Sequence, residues 1–438
     1  MFEKNLNRIF FCFFVSLFFA GLIMFSPNIP LQDDWNNLYL LNNFENTFIE
    51  FLLVKENNHF QVISRFFLYI NDKFFSLNYK LNNYVSFFLL FFLFFKTYFF
   101  LKVKNNLFFI LLVLLFFSGR LFPTVTQSVN VVWILSFIFI IYFLEEFRPN
   151  NEQISIKLLL IIFLNIINFS LHVCVLLFLI TNLFFSNYKK NIIIYIFFYF
   201  FILISLNLIS TIFVSDYNLL TSNPVELKLI LSKFELSTFI FTLFSILPSV
   251  YFPIIKSFVP ISFFVGLIQF TILILLFIKK KYLNFENLNS LLNLNSLLIF
   301  GIFASMILAF FRPFDSIEAR FTLVSVMFQV GFWNCILRET RSNLFKSFSL
   351  KISFLAIILT GYFSPYLGLY WQTVNYNKSL SIKECLKRNN LRTKECDELI
   401  YFYVFNNGKW FSKEKFSNVL NNLKKEKKIF FNEKYINH

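Results

Sequence analysis

Long apolar stretches alternate along the chain with short polar punctuation, and most of the stretches exceed what a strand or core helix requires. They fall at about 9–25, 84–101, 107–122, 129–144, 156–170, 171–186, 191–214, 258–278, 294–311, 321–338 and 350–368. A helix needs roughly 17–25 apolar residues to cross the hydrocarbon of a bilayer, so the pattern predicts an all-α, polytopic transmembrane bundle of roughly eleven spans. The runs 107–122, 156–170 and 171–186 are short or poorly separated. The stretch 237–255 is apolar as well, but it contains Pro248 and Pro253, with Pro260 close behind. Non-helical backbone at membrane depth survives only where protein covers it or it lines a cavity, and this stretch reads as a re-entrant or interfacial hairpin.

Two further periodicities lie in the long loop 26–83. Phe44, Phe48, Phe51 and Leu52 recur at helical spacing, as do Phe60, Ile63, Phe67, Ile70 and Phe74. Each set makes one apolar face, the pattern of a helix lying in the plane of the interface. The polar side of the second helix carries Arg65 and Asp72, seven residues apart and on one face, with Glu56 and His59 before it.

Positive charge in short loops sets orientation. Lys4 and Arg8 place the N-terminus inside, and the run 9–25 reads as an uncleaved first span, since it outlasts a signal-peptide core of roughly 7–15 residues. Lys102 and Lys104, Lys189 and Lys190, Lys279–Lys281, and Arg338, Arg341, Lys346 and Lys351 then all fall inside, provided 237–255 does not cross. The C-terminus is therefore expected outside. The tail carries Lys378, Lys383, Lys387 and Arg388 against this rule, but long tails translocate largely regardless of charge. The division expected is a transmembrane domain over 1–368 and a small external helical subdomain over 369–438.

Composition agrees. The 438 residues are 57% hydrophobic and 15% charged, with a mean hydropathy of +0.65, more apolar surface than a soluble domain hides in one core. Phe occurs 72 times, which reads as codon bias in an A+T-rich genome rather than as aromatic binding platforms. The same bias discounts the net charge of +16, and no nucleic-acid-binding module is visible outside the membrane. Of the five cysteines, Cys12, Cys174 and Cys335 fall in spans, where a thiol behaves as a small apolar group. Cys385 and Cys396 lie together in the tail and are a disulfide candidate if that tail is outside; two nearby cysteines can equally stay unpaired.

The unusual polar residues gather on the outer side of this topology. Asp33 and Asp34 precede Trp35 just past the first span; His59 and Arg65 follow in the same loop. Arg120 and Gln127 sit in the turn after the third span, His172 between the fifth and sixth, and Arg312, Asp315, Glu318 and Arg320 in the loop between the ninth and tenth. Charges this close to hydrocarbon are costly and mark candidate sites. A carboxylate there can deprotonate an acceptor hydroxyl or hold a divalent cation such as Mg or Mn against a phosphate, and Arg pairs with phosphate oxygens through its planar fork. The chemistry this set supports is sugar transfer from a lipid-phosphate donor. Each residue alone also has an ordinary reading. Asp33–Asp34 can cap a helix, the arginines can snorkel to headgroups, Glu318 can pair with a neighbouring Arg, and His172 can be a hydrogen-bonded helix-end histidine.

The arrangement resembles the GT-C superfamily of membrane glycosyltransferases, in which a first external loop with interfacial helices carries one or two acidic residues. Here that is Gln32–Trp35, QDDW. More closely it resembles bacterial multi-pass proteins of GT-C type with an Asp-Asp motif, an Asn-Glu-His-Arg-like motif and a further Arg. Asn57 to Arg65 is similar to the second motif, keeping His59 and Arg65 but placing Asn58 where Glu is expected and Phe60 where Arg is expected. Ala319-Arg320-Phe321 echoes a late Ser-Arg-Tyr-like element. The resemblance covers the organisation of roughly the first 370 residues. It implies an inverting enzyme of the bacterial cytoplasmic membrane that uses a polyprenyl-phosphate sugar. Asp33 or Asp34 would be the base or metal-coordinating carboxylate, and Arg65, Arg312 and Arg320 would sit at the donor phosphate. His59 would contact phosphate or acceptor, and the acceptor would be a glycan, lipid or protein. Competing readings are a polymerase or ligase of lipid-linked glycans, a transporter or flippase, and a structural membrane protein.

The topology has a direct consequence. A cysteine introduced as Lys280→Cys stays unreactive to an impermeant thiol reagent added to intact cells, whereas Lys409→Cys is labelled; labelling at position 280 overturns the assigned orientation.

Overall fold

The computed structural model describes residues 2–26, 28, 34–43, 48–56, 59–126, 130–147, 153–168, 171–185, 189–213, 234–252, 258–279, 296–311 and 322–339, together with 351–356 and scattered residues to 425. Every described element is helical except one two-residue antiparallel hairpin. In chain order they are α1 Phe2–Phe25, α2 Asp34–Asn43, α3 Phe48–Leu53, the strands β1 Lys55–Glu56 and β2 His59–Phe60, α4 Val62–Phe75, α5 Tyr79–Phe100, α6 Asn106–Phe116 and, after a 3-10 turn at Gly119–Leu121, α7 Phe122–Thr126. They continue with α8 Val131–Glu146, α9 Ile156–Asn168, α10 His172–Phe185, α11 Lys189–Phe213, α12 Leu236–Ile246, α13 Val259–Lys279, α14 Ser296–Phe311 and α15 Thr322–Glu339.

Among the described residues five helical stretches are long and apolar enough to cross a membrane: Asn7–Phe25, Tyr79–Phe100, Asn106–Thr126, Lys189–Ile212 and Val259–Leu276. Among shorter apolar helices are α9, α10, α12, α14 and most of α15. The chain is a helical membrane protein by this measure. Its outer surface is correspondingly greasy: Phe13, Phe197, Phe201, Ile212 and Phe264 are all at least 60% exposed.

The run expected as one span over 107–122 is not a single helix. The helix ends at Phe116, and Ser118 caps a 3-10 turn by accepting from the Arg120 N–H at 3.2 Å. This interruption sits in the best-covered part of the bundle, where 83% of the stretch is buried.

Contacts set the helix directions. Asn7 donates to Asn106 at 2.8 Å, and Phe18 stacks on Phe122 at 4.2 Å, so α1 and α6–α7 run the same way. Phe11 packs on Phe94 and Phe18 on Phe87, so α5 runs back between them. Lys96 of α5 pairs with Glu145 of α8 at 2.7 Å under the Tyr142 ring, and Asn168 of α9 reaches Val132 and Ser136 near the start of α8. The exit of α1, the starts of α5, α8 and α10 and the ends of α7 and α9 therefore share one end of the bundle, where loop elements α2–α4 sit. The end of α11 joins them: Ser210 donates to the Leu53 carbonyl at 3.0 Å, and Lys55 bonds Asn207.

The second half is built on α14 and α15, antiparallel and in close contact. A Cβ on Gly301 would stand 2.6 Å from the Phe328 backbone and one on Gly331 2.5 Å from that of Leu298. Against the middle of α15 lies the break that follows α12. The Leu247 carbonyl accepts from Ser325 Oγ and Gln329 Nε2, both at 2.8 Å. Tyr251 donates to Gln329 at 2.6 Å and accepts from Trp333 Nε1 at 2.7 Å, and Gln269 of α13 closes the network. Phe234, just before α12, meets Phe310 at the end of α14 that adjoins the start of α15. Eleven helical residues thus run from that end to the midpoint of α15 and stop at Leu247.

Close packing here is testable. Gly331→Ala forces α14 and α15 apart and lowers stability by about 1–3 kcal/mol, read as a lower unfolding temperature of the purified protein.

Candidate functional site

Helix α4 is amphipathic, but its faces are reversed relative to a helix bathed in water. The periodicity predicts an interfacial helix with Arg65 and Asp72 on the polar side; the structure turns that side inward. Arg65 is fully buried and Asp72 is 8% exposed, whereas Phe66 and Phe74 on the outside are 44% and 76% exposed. Buried polar groups are kept where partners within the protein can satisfy them.

Arg65 ties this loop together. Its Nε donates to Asn37 Oδ1 at 3.4 Å, and Nη1 donates to the carbonyls of Phe51 and Val54. These are the last turn of α3 and the residue that leads into β1, so one guanidinium holds α2, α3 and the hairpin against α4. In this structure Arg65 positions the loop. His59 lies in β2, opposite Glu56 in register.

Asn71 organises the turn into α5. Its amide donates to the Asn78 carbonyl and to Asn82 Oδ1, both at 3.0 Å, and its Oδ1 accepts from the Asn78 N–H at 2.9 Å. The turn places Ser76 and Leu77 in the left-handed region (φ 51° and 60°), which non-glycine residues adopt only when held there. The result brings Tyr79 to the loop carboxylates. Asp34, in the first turn of α2, is 2% exposed, and Asp34 and Asp72 both act electrostatically on Tyr79, itself 2% exposed.

Beside this group a cleft of about 20 Å³ opens between α2, α4, α5 and the start of α8. Asn37, Ser64, Asn82 and Ser86 are its polar lining, with Phe67 and Val131 among its apolar walls. Ser64 donates to the Gln61 carbonyl, and Asn82 accepts from Asn71. Among the described residues Ser86 Oγ, the Tyr79 hydroxyl and both polar atoms of the Asn83 amide have no hydrogen-bond partner, although all three residues are at most 2% exposed. A buried polar group left unpaired costs about 1–3 kcal/mol, so such a concentration points to a site rather than to packing.

Arg120 is buried beneath the same end, and its Nε donates to Thr322 Oγ1 at the start of α15, 3.2 Å away. It therefore joins the two halves of the chain. His172, the first residue of α10, bonds Tyr199 of α11 through Nδ1, the helix-end role weighed for it from sequence. Half-burial lowers the Lys55 ammonium from its ordinary value. Asp33, Arg312, Glu318 and Arg320 lie outside the described residues, as does Cys396; Cys385 is disulfide-bonded. Among the described residues no three His, Cys, Asp or Glu side chains gather as a metal site.

Asp72, Tyr79, Asn83 and Ser86 are absent from the sequence-derived set. A signal was available: Tyr79, Asn83 and Ser86 follow at i, i+4 and i+7 in the opening turns of an otherwise Phe- and Leu-rich span. The abundance of Asn and Tyr elsewhere in the chain masks it.

Comparison with protein-family models, with curated proteins and with solved structures finds no match to this chain.

The loop geometry makes its own forecast. Arg65→Ala leaves the Phe51 and Val54 carbonyls without their donor and costs about 1–3 kcal/mol. Limited proteolysis in the loop 44–58 then speeds up relative to cleavage elsewhere; an unchanged cleavage rate removes the positioning role.

Proposed function

We propose that the chain is an inverting membrane glycosyltransferase of GT-C type that moves a sugar from a polyprenyl-phosphate donor to an envelope acceptor at the outer face of the bacterial cytoplasmic membrane. In this reading the bundle crosses roughly eleven times, with the N-terminus inside and the C-terminus outside. The break after α12 is then the turn of a re-entrant hairpin.

The observation that carries the reading is the burial of Asp34 and Asp72, both within electrostatic reach of Tyr79, near a cleft lined by neutral amides and hydroxyls at one end of the bundle. A polyprenyl chain dissolves in the bilayer, so its phosphate and sugar present themselves at the level where such an end lies. The step would run as follows. The acceptor hydroxyl oxygen attacks the anomeric carbon from the face opposite the phosphate, and its proton passes to the Asp34 carboxylate. The bond from that carbon to the phosphate oxygen breaks, polyprenyl phosphate leaves with the electron pair, and the configuration inverts. With Arg65 and Arg120 bonded inside the protein, the proposal assigns the donor phosphate to the loop that carries Arg312 and Arg320.

A transporter or flippase has one observation in its favour, the helix broken halfway along its neighbour, since such breaks form cargo sites in transporters. Here Gln269, Gln329, Tyr251 and Trp333 bond one another and the Leu247 carbonyl. Groups occupied in this way hold the turn closed rather than offering a ligand site, which leaves the glycosyltransferase as the better reading.

The deciding experiment replaces each acid separately. Asp34→Asn keeps the shape of the side chain, removes the base and lowers transfer to envelope lipid or protein about 10²–10⁴-fold, with the protein still inserted and folded. Wild-type product in both Asp34→Asn and Asp33→Asn cells would falsify the catalytic assignment.

A further inference from the structure

Three unpartnered groups define a stripe on α5. Tyr79, Asn83 and Ser86 are spaced four and three residues apart, which puts them on one face of the helix, and that face is the buried one. The hydroxyl of Tyr79, both atoms of the Asn83 amide and the hydroxyl of Ser86 find no hydrogen-bond partner. The stripe runs about 10 Å along the helix. One end lies within electrostatic reach of Asp34 and Asp72, and the other opens into the cleft between α2, α4 and α5.

A helical serine usually satisfies its hydroxyl on the carbonyl one turn back, as Thr97, Ser245 and Ser305 of this chain do. Ser86 does not. The donors and acceptors of the stripe and the cleft are neutral: a phenol, a carboxamide and hydroxyls, with Asn37 and Asn82 beside them. Such a set suits a ligand that both donates and accepts at several points and carries no charge. An anion would meet two carboxylates at one end of the row.

We propose that the stripe Tyr79–Asn83–Ser86 is a binding subsite for the hydroxyl groups of a neutral sugar, laid along α5 with one end at Asp34. The sugar rests on the glycosyltransferase reading; the neutral, many-hydroxyl character of the ligand rests on the stripe itself. A row of groups kept for a ligand behaves differently from a row kept for the fold. Replacing buried unpaired polar groups by apolar ones of similar shape is neutral or stabilising, and binding is then lost.

The test measures thermal unfolding of the full chain in lipid nanodiscs, with methyl α-glucoside, methyl α-mannoside and methyl β-N-acetylglucosaminide as neutral probes and inorganic phosphate as the anionic one. Expected is a saturable rise in unfolding temperature with at least one glycoside and none with phosphate. Tyr79→Phe, Asn83→Leu and Ser86→Ala each leave the unliganded protein as stable as before or more so, and each weakens the glycoside effect at least about tenfold. Asp34→Asn keeps the glycoside effect while losing transfer, so failure of the catalytic assignment and failure of the subsite read out separately. The proposal is overturned if the three substitutions lower the stability of the unliganded protein, if none of the three glycosides stabilises the wild type, or if phosphate does so as strongly.

Discussion

Hydrocarbon offers no hydrogen bonds, and a polar group that faces it must either find a partner inside the protein or be absent. The placement of polar side chains follows from that single constraint. Helix α4 presents Phe66 and Phe74 outward and keeps Ser64, Arg65, Asn71 and Asp72 within. The break after α12 leaves backbone without helical bonds, and Ser325, Gln329 and Gln269 converge on it from α15 and α13. Thr97, Asn165, Thr181 and Asn182 bond carbonyls of their own helices. Polar residues on α8 and α9, and on α10 and α11, meet one another as Asn168–Ser136 and His172–Tyr199.

Against that background the first-loop end of the bundle is exceptional. There the chain gathers two buried carboxylates, a phenol, a carboxamide and a hydroxyl, and the last three find no hydrogen-bond partner among the described residues. The two buried arginines do not neutralise that end as free cations. Each is engaged with protein oxygens: Arg65 with three parts of the loop, and Arg120 with the start of α15. Their contribution is rigidity, which a site of this kind needs more than extra charge, because carboxylates act only where the reacting atoms are held.

The helical, membrane character of the chain was legible from the apolar runs, since length and hydropathy report directly on spanning capacity. Most helix limits fall within a few residues of those runs, and α12 stops at Leu247, beside the Pro248 that signals the break. The interruption at Phe117–Ser118 carried a signal, Ser118, Gly119 and Arg120 in a row, which a single span over 107–122 runs across. The burial of α4's polar face was not readable from periodicity, which reports that a helix has two faces and says nothing of what each one meets. Asp34 stood out because two acids follow a span, and Asp72 because it shares a helix face with Arg65, whereas Tyr79 drew notice only once the Asn71-held turn joined α4 to α5. Arg65 was rightly singled out as unusual, but whether a guanidinium meets phosphate or carbonyl depends on the fold around it.

One helix outlasts its partner. Helix α11 continues past the start of α10, and its last turns, at Asn207 and Ser210, grip Lys55 and Leu53 of the first loop. The same helix is largely uncovered by neighbours, with Phe197, Ile204, Leu208 and Ile212 on its outside. A helix exposed to lipid in this way tilts when the bilayer thickens or thins. Its tip is a lever arm on the loop that carries Asp34. Two bonds, from Ser210 to the Leu53 carbonyl and between Lys55 and Asn207, thereby tie the far end of an otherwise uncovered helix to the same loop.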